Sequence, residues 1–322
     1  MRELKITQKD ENQRLDKFLM KYLNKAPKSF VYKMLRKKNI KYNGKKAQGN
    51  EILLYGDIIS LYFSEDTINE FKEIKQVDNI KRTFEIIYED ENILICNKPA
   101  GLLVQKDKAQ DNNTLVDQII SYLYQKQEYN PYEENSFTPA VCNRLDRNTS
   151  GIVVAGKNLM ALQQINKAIH DDKVEKYYKT IVNGKISKSG IIENYHIKEE
   201  FNKVSVLDKE TENSKKIITK YRPLKIGEKY TLLEIQLVTG KTHQIRAHLQ
   251  SINHSIIGDG KYGDKNANEY FAKEYQLKYQ LLHAYKLVWK QKDGELAYLY
   301  GKEFTANTPK IFSDIERKLF EI

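Results

Sequence analysis

One loop of the sequence places a single carboxylate between two guanidinium groups. Residues 143–151 read Asn-Arg-Leu-Asp-Arg-Asn-Thr-Ser-Gly, so Asp146 follows Arg144 by two positions and precedes Arg147 by one. Each positive charge favours the ionised carboxylate, which suits a nucleophile or a base better than an acid. The same residue types also build turns, so a structural turn that Asp146 caps accounts equally well for the pattern.

A second candidate site lies on a helix predicted over residues 243–252. Three side chains share its polar face: His243, Arg246 and Gln250. With Thr242 as the predicted N-cap, this face lies near the positive end of the helix, where carboxylates or phosphates bind. A solvated polar face is the simpler alternative. His243 and His248 lie about 140° apart around the helix axis, so the pair does not predict a zinc site.

Two nucleotide-binding motifs are present only in part. Residues 258–263 satisfy GxGxxG, but no strand is predicted before them and no early apolar helical stripe after them. A loop is therefore predicted there and not a dinucleotide-binding turn. Residues 240–242 end like a phosphate-binding loop, but Ile235 occupies the position where that loop needs glycine. The sequence thus argues against an NTPase.

The elements that must position these residues fall into two parts. After Arg14, apolar residues at helical spacing predict two short helices separated by Pro27, with Ser29 as N-cap of the second. Short strands joined by tight turns follow. Residues 64–82 are polar, without a steady period, and predict a linker.

From Thr83 onward the pattern is strand-rich, with helices predicted over residues 114–127, 159–171 and 243–252. We therefore predict an α+β protein in three segments: a small basic α/β domain over 12–63, a linker over 64–82, and a domain over 83–322 built on a mixed, mainly antiparallel sheet.

The positive charge of the chain is concentrated near its N-terminus. The 322 residues include 54 Lys and Arg against 43 Asp and Glu, a formal net charge of +11. Residues 12–50 carry twelve basic side chains and the single acid Asp16, so this segment alone accounts for the excess. Such a patch fits a polyanion, and both nucleic acid and anionic lipid remain open at this point.

Other protein classes are disfavoured. The polar N-terminus lacks the apolar core of a signal peptide, and no run of eighteen apolar residues occurs, so a cytoplasmic protein is expected. Cys96 and Cys142 are too few for a disulfide framework or a four-cysteine zinc site, and we interpret both as buried small hydrophobic residues.

Four motifs in order, NRLDRNTSG, KYYKTIVNG, TGKTHQIRAHL and GDGKYG, resemble those of the RluA-type pseudouridine synthases. The basic segment RLDKFLMKYLNKAPKSFVYKMLRKKNIKYNGKKA is similar to a small RNA-binding domain shared with a ribosomal small-subunit protein. The resemblance spans about residues 12–310. It implies isomerisation of uridine in RNA without a metal, nucleotide or redox cofactor. The domain combination resembles the branch that modifies large-subunit ribosomal RNA, particularly its C and D types.

The resemblance also implies roles for individual residues. Asp146 corresponds to the catalytic aspartate, and Arg144 to the arginine that helps displace the target uridine. Tyr178 corresponds to the tyrosine that stacks on the flipped base, and Arg246 to the arginine that pairs with the catalytic carboxylate. Seven basic residues of the N-terminal segment are expected to bind RNA: Arg14, Lys17, Lys28, Lys33, Arg36, Lys37 and Lys38.

Two positions depart from the family pattern, with Asn143 in place of the usual His and Lys241 in place of a common Arg. Neither supplies the carboxylate, so they bear on substrate preference. A catalytically silent RNA-binding or ribosome-associated factor remains the alternative function. A membrane-binding protein is less compatible, because the lysine-rich helices lack an apolar face for lipid. A monomer is expected.

Overall fold

The computed structural model describes residues 1–73, 77, 79–108, 111–198 and 204–320. The chain divides into two compact units. Unit 1 comprises Met1–Arg82, Val116–Ala140 and Gly156–Gln163, and unit 2 comprises Thr83–Leu115, Val141–Ala155 and Gln164–Ile322. Two segments that were predicted to lie in the domain over 83–322 therefore belong with the N-terminal unit.

Unit 1 contains the two predicted short helices, α1 and α2, and a small sheet. The helices span Leu15–Tyr22 and Lys28–Arg36. Four strands form the sheet in the order β1-β4-β2-β3: β1 (Arg2–Lys5), β2 (Ile40–Tyr42), β3 (Lys45–Lys46) and β4 (Ile58–Leu61). Phe18 and Leu19 of α1, Val31 of α2 and Ile59 of β4 are fully buried in one apolar core. The helices form because their apolar residues recur on this buried face.

Two details of unit 1 differ from expectation. Helix α2 begins at Lys28 after Pro27, which occupies the N-cap position, so Ser29 lies inside the first turn and is not the cap. Proline suits a helix start because its missing N–H needs no partner there. The predicted linker contains a third helix, α3 (Glu65–Phe71), whose Ile68 is fully buried in the core. A short helix with a single fully buried residue has no clear repeat of apolar residues, so its sequence does not predict it.

A buried carboxylate ties distant segments of unit 1 together. Asp10 is almost inaccessible, and it accepts hydrogen bonds from the Thr7 hydroxyl at 2.8 Å, the Ser136 hydroxyl at 2.8 Å and the Asn135 amide at 3.1 Å. Hydrogen bonding of this kind offsets the desolvation of a buried carboxylate. The segment around Ser136 is thereby held to the N-terminal residues.

Unit 2 is organised around a large, mainly antiparallel sheet, which confirms the predicted fold class. Its central order is β11-β10-β12-β13-β9-β14-β8-β6-β5, with β15 beside β14 and β7 beside β8. The pairing of β14 with β8 is parallel. The strands are β5 (Glu85–Glu89), β6 (Ile93–Lys98), β7 (Ala140–Val141), β8 (Ser150–Gly156), β9 (Val174–Asn183), β10 (Gly190–Lys198), β11 (Val204–Leu207), β12 (Lys215–Ile226), β13 (Tyr230–Leu237), β14 (Leu282–Trp289) and β15 (Glu303–Thr305).

The three helices predicted after Thr83 are present: α4 (Leu115–Gln125), α5 (Leu159–His170) and α6 (Gln244–Ser251). Two were not predicted: α7 (Lys265–Tyr275) and α8 (Lys310–Phe320). Helix α7 follows the GxGxxG loop directly, with Asp264 as its N-cap, but its fully buried residue Phe271 comes late in the helix. That position explains why no early apolar stripe marks it. Within the described residues, none of the helices is long and apolar enough to cross a bilayer.

The two cysteines have different surroundings. Cys96 in β6 is fully buried, as predicted, and burial raises the pKa of its thiol to about 12. Cys142 is only partly buried, contrary to the prediction, because it lies in the short stretch between β7 and the candidate catalytic loop. The two thiols are not joined in a disulfide.

The loop that carries Asp146 runs directly into β8, and close packing fixes its end. Gly151 has φ +117°, and a Cβ there would lie 2.2 Å from the carbonyl oxygen of Ala284 in β14, so only glycine fits. The Ser150 hydroxyl lies 2.8 Å from Nδ1 of His283 in β14. The loop therefore leaves the sheet at a defined point.

Candidate active site

Asp146 is held by an arginine one hundred positions away in the sequence. Its Oδ2 accepts a hydrogen bond from Nη1 of Arg246 at 2.8 Å, and the side chain remains 25% exposed. The backbone carbonyl of Asp146, and not its carboxylate, accepts the turn hydrogen bond from Thr149 N–H at 3.0 Å. The carboxylate is therefore oriented but still open to a substrate, and the capping alternative does not describe its contacts.

The neighbouring arginines do not form this charge pair. Arg144 and Arg147 are exposed, and no ion pair joins either to Asp146 within the described residues. These two neighbours were predicted to provide the positive charges beside Asp146, and the structure instead places the guanidinium of Arg246 from α6 there. Sequence adjacency in an extended loop does not fix side-chain direction, which explains the difference.

Arg246 is the centre of a buried charge cluster. It is 8% exposed, and it donates from Nε to Asp259 Oδ2 at 2.6 Å and from Nη2 to Asp259 Oδ1 at 2.8 Å, in addition to its bond with Asp146. Burial alone would lower the pKa of Arg246, but the hydrogen bonds and charges of the two carboxylates raise it overall. The alternative of a solvated polar face therefore does not describe Arg246, because its guanidinium contacts carboxylates from two other segments of the chain.

Asp259 completes the cluster and was not identified from the sequence. The residue is fully buried and also accepts hydrogen bonds from the backbone N–H groups of Lys261 at 2.9 Å and Tyr262 at 3.0 Å. Burial would raise the pKa of Asp259, but Arg246 and these N–H groups lower it. The carboxylate between two glycines in GDGKYG was a signal, since an acid in a tight loop needs partners.

Tyr178 lies on β9, between Ile235 of β13 and Ala284 of β14. It is 6% exposed. Burial raises the pKa of its phenol, and the charge of Asp146 raises it further. The phenol is therefore neutral at physiological pH. A neutral aromatic ring can stack on a base and can exchange a proton through its hydroxyl.

His243, one of the three residues on the predicted polar face of α6, and Tyr262, which was not singled out from the sequence, also belong to this cluster. His243 Nε2 lies 3.8 Å from Asp146 Oδ2, and its Nδ1 lies 3.1 Å from the Tyr262 hydroxyl. Burial lowers the pKa of His243, an effect that the Asp146 charge opposes. His243, with φ 54°, and not Thr242, occupies the N-cap position of α6. The predicted N-cap is therefore wrong by one residue.

Lys98 is a buried cation beside the loop. Its ammonium group donates to three backbone carbonyls, those of Pro99 at 2.9 Å, Leu102 at 2.8 Å and Arg147 at 3.0 Å. Burial lowers the pKa of Lys98 to about 7, although the charge of Asp146 opposes the shift. Since Arg147 follows Asp146 directly, Lys98 fixes the backbone next to the candidate catalytic carboxylate.

The lowered pKa of Lys98 predicts a specific pH dependence of stability. Its ordinary value is about 10.4, so between pH 7 and 10 the unfolded chain binds the proton more tightly than the folded one. We expect the free energy of unfolding to rise with pH in this window by up to about 1.4 kcal/mol per pH unit more than in Lys98→Met. Urea unfolding at pH 7.5, 8.5 and 9.5 measures both slopes. Equal slopes would show that Lys98 titrates normally.

The predicted RNA-binding residues all lie on the surface of unit 1. They occupy the start of α1, the exposed side of α2 and the residues just after it: Arg14, Lys17, Lys28, Lys33, Arg36, Lys37 and Lys38. Arg14 differs from the others because it donates to both carboxylate oxygens of the buried Asp16, at 3.1 and 2.9 Å. Lys38 has φ 61° and ends the helical segment.

Asn143, the departure from the family pattern, has a structural role. Its amide donates to the carbonyl of Ile152 at 3.1 Å and accepts from the N–H of Val154 at 2.8 Å. The side chain thus caps two backbone groups of β8. A residue engaged in this way shapes the base of the loop.

The chain is similar to several known proteins. The family described as RNA pseudouridylate synthase matches residues 92–251. A protein of Mycoplasma genitalium named as an uncharacterized RNA pseudouridine synthase is 34% identical over 88% of each chain. A protein of Buchnera aphidicola named ribosomal large subunit pseudouridine synthase C is 31% identical over 87% of each chain. The human RNA pseudouridylate synthase domain containing 4 shares the fold, with a TM-score of 0.57 at 21% identity over 73% of this chain and 92% of its own.

Proposed function

Because the chain belongs to the RNA pseudouridylate synthase family and isomerises uridine to pseudouridine in RNA, we propose that its substrate is large-subunit ribosomal RNA and that Asp146 is its catalytic residue. Relatives named for large-subunit ribosomal RNA match most of the chain, which supports this substrate. The observation that carries the catalytic assignment is the carboxylate of Asp146, oriented by the buried Arg246 yet partly exposed.

The reaction detaches the base from its ribose, turns it and rejoins it through ring carbon 5. A uridine must first leave its stack, which costs a few kcal/mol and least in a loop. The carboxylate of Asp146 can then attack the nucleotide or remove a proton from it, while Arg246 holds the carboxylate in place. Tyr178 provides an aromatic face for the displaced base and a neutral hydroxyl for proton transfer.

Arg144 has a separate role in this proposal. Its exposed side chain is not engaged by Asp146, and we infer that it takes the place of the extruded base in the RNA. A long cationic side chain can fill that space and contact phosphates at the same time. Because Asp146, Arg246, Asp259 and Tyr178 all come from one chain, the site needs no second subunit, and we infer a monomer. We infer a cytoplasmic location from the proposed substrate, ribosomal RNA.

The substrate is tested by mapping pseudouridine in ribosomal RNA. Cells that lack the protein should carry unmodified uridine at one or more large-subunit positions. The parental chain should restore pseudouridine there, and an Asp146→Asn chain expressed to the same level should not. Unchanged large-subunit RNA in the deletion strain would exclude this substrate. Restoration by the Asp146→Asn chain would contradict the assignment of Asp146 as the catalytic residue.

The basic surface predicts a salt-sensitive RNA affinity. Each phosphate contact contributes about 0.7 to 0.9 to the slope of log affinity against log salt. Replacing Arg36, Lys37 and Lys38 by glutamine should therefore reduce that slope by about 2 and weaken binding at 0.1 M salt. Filter binding between 50 and 300 mM salt measures it.

The matched control uses three exposed lysines of unit 2 and replaces them by glutamine in the same way: Lys292, Lys310 and Lys318. This control variant loses the same net charge as the Arg36, Lys37 and Lys38 variant. If only the net charge of the protein mattered, both variants would show the same reduction in the salt slope. That result would contradict a specific role for the segment after α2.

A further inference from the structure

Gln244, the first residue of α6, has a fully used side-chain amide. The residue is 2% exposed. Its Oε1 accepts hydrogen bonds from the Thr239 hydroxyl at 3.0 Å and from the Lys241 N–H at 3.1 Å. Its Nε2 donates to the Ile218 carbonyl at 3.1 Å and to the Thr219 hydroxyl at 3.1 Å. One carboxamide therefore joins the loop before α6 to strand β12.

Other contacts tie the same loop to neighbouring strands. The Thr239 hydroxyl accepts from the N–H of Ile218 at 2.9 Å. Nε2 of His196, on β10, lies 3.1 Å from the carbonyl of Thr242. Gln244 lies in the first turn of α6 and contacts both the loop before the helix and strand β12. These contacts hold the first turn of α6 against the sheet.

The first turn of α6 carries the groups that face Asp146. His243 adopts the left-handed conformation, which is strained for a non-glycine residue and persists only when surrounding contacts fix it. Arg246 lies two residues after Gln244 on the same rigid helix. A shift of the helix start would therefore move both His243 and Arg246 relative to the carboxylate.

We propose that Gln244 is a positioning residue for the isomerisation: its amide fixes the loop over residues 239–243 and the start of α6, so that Arg246 and His243 meet Asp146 in the reactive geometry. This inference rests on the proposed role of Asp146. Gln244 itself lies beneath the loop and acts through Arg246 and His243. A displacement of about 1 Å at such a site can cost about a hundredfold in rate.

The test compares Gln244→Met, which keeps the size but removes all four hydrogen bonds, with Gln244→Glu. The glutamate keeps the acceptor for Thr239 and Lys241 but loses the amide donor to the Ile218 carbonyl and the Thr219 hydroxyl. The single-turnover rate of tritium release from ring carbon 5 of uridine should fall on the order of 30-fold in Gln244→Met and less in Gln244→Glu. The dissociation constant for the same RNA should change less than about twofold, since the phosphate-binding surface is untouched.

Thr231→Val is the matched control for loss of buried hydrogen bonds. The Thr231 hydroxyl is fully buried in β13, accepts from Ile186 N–H at 3.0 Å and donates to the Gly184 carbonyl at 2.8 Å. This variant should lose thermal stability as Gln244→Met does, yet keep the parental rate. A purely structural role for Gln244 would give both variants the same rate.

A double-mutant cycle with His243→Ala adds a second readout. If Gln244 acts through the loop, Gln244→Met should lower the rate much less in the His243→Ala chain than in the parental chain. Parental turnover by folded Gln244→Met, or additive effects in the cycle, would overturn the inference. Turnover by Asp146→Asn would instead overturn the catalytic assignment, so the two failures are distinguishable.

Discussion

Replacement of Asp146 by asparagine should lower the rate of pseudouridine formation by about 10³-fold or more. Asparagine has the same shape, and its oxygen can still accept the hydrogen bond from Nη1 of Arg246. It lacks the charge and the basicity that attack or proton removal needs. Arg246 keeps its two bonds to Asp259, so the fold should survive. Tritium release from uridine-labelled large-subunit RNA measures the loss.

The control for this prediction is Asp171→Asn, which removes an exposed carboxylate just after α5 and changes net charge equally. It should retain the parental rate. Asp146→Ala should be as inactive as Asp146→Asn, and both should bind RNA with parental affinity. A rate for Asp146→Asn within tenfold of the parental rate would remove Asp146 from the chemistry.

We expect the second large effect for Asp259→Leu, which should lower the free energy of unfolding. The substitution leaves the guanidinium of Arg246 buried without its two principal acceptors. Breaking a buried ion pair from one side typically costs 3–5 kcal/mol. Urea unfolding at pH 7 should show a loss of about that size. The control is Asp314→Asn on α8, whose exposed pair with Arg317 has a 3.9 Å separation and should contribute less than about 1 kcal/mol.

Acid pH supplies a further check on Asp259. Its pKa is lowered in the folded chain, so its stabilisation is complete above the ordinary value near 4 and is lost as pH falls through the folded value. The difference between the parental chain and Asp259→Leu should therefore be constant from pH 5 to 7 and shrink in stronger acid. Combining Asp259→Leu with Arg246→Met should cost less than the sum of the single losses. An additive result would contradict the buried pair.

Sequence patterns predicted the parts of this fold that depend on local order. Helices α1 and α2 follow from the apolar spacing, and the mainly antiparallel sheet follows from strand-rich segments with turns between them. Helix α7 was missed because Phe271, its fully buried residue, comes late, and α3 because only Ile68 is fully buried. A helix with one fully buried residue shows no apolar repeat in its sequence, so tertiary packing determines whether the helix forms.

The candidate active site also contains some residues that local sequence patterns predict and others that only the fold reveals. The motifs predict Asp146, Tyr178 and Arg246 as site residues, and the structure has a hydrogen bond between Asp146 and Arg246. Asp259 and Lys98 could not be given roles from sequence, because their partners are distant groups or backbone carbonyls that only the fold brings near. The positive charge beside Asp146 was attributed to Arg144 and Arg147 because Arg246, its actual partner, is distant in the sequence.

The discontinuity of unit 1 has a consequence for how the enzyme can be dissected. Residues 116–140 and 156–163 return to this unit after the chain has entered unit 2, and Ser136 contacts the buried Asp10. A fragment cut after residue 82 would lack part of its own interior, and a fragment that begins at residue 83 would carry Ser136 and Asn135 without their partner. The proposed RNA-binding surface therefore cannot be separated from the rest of the chain by one cut: cleavage at a protease site introduced after Arg82 should leave both pieces associated until the chain is denatured.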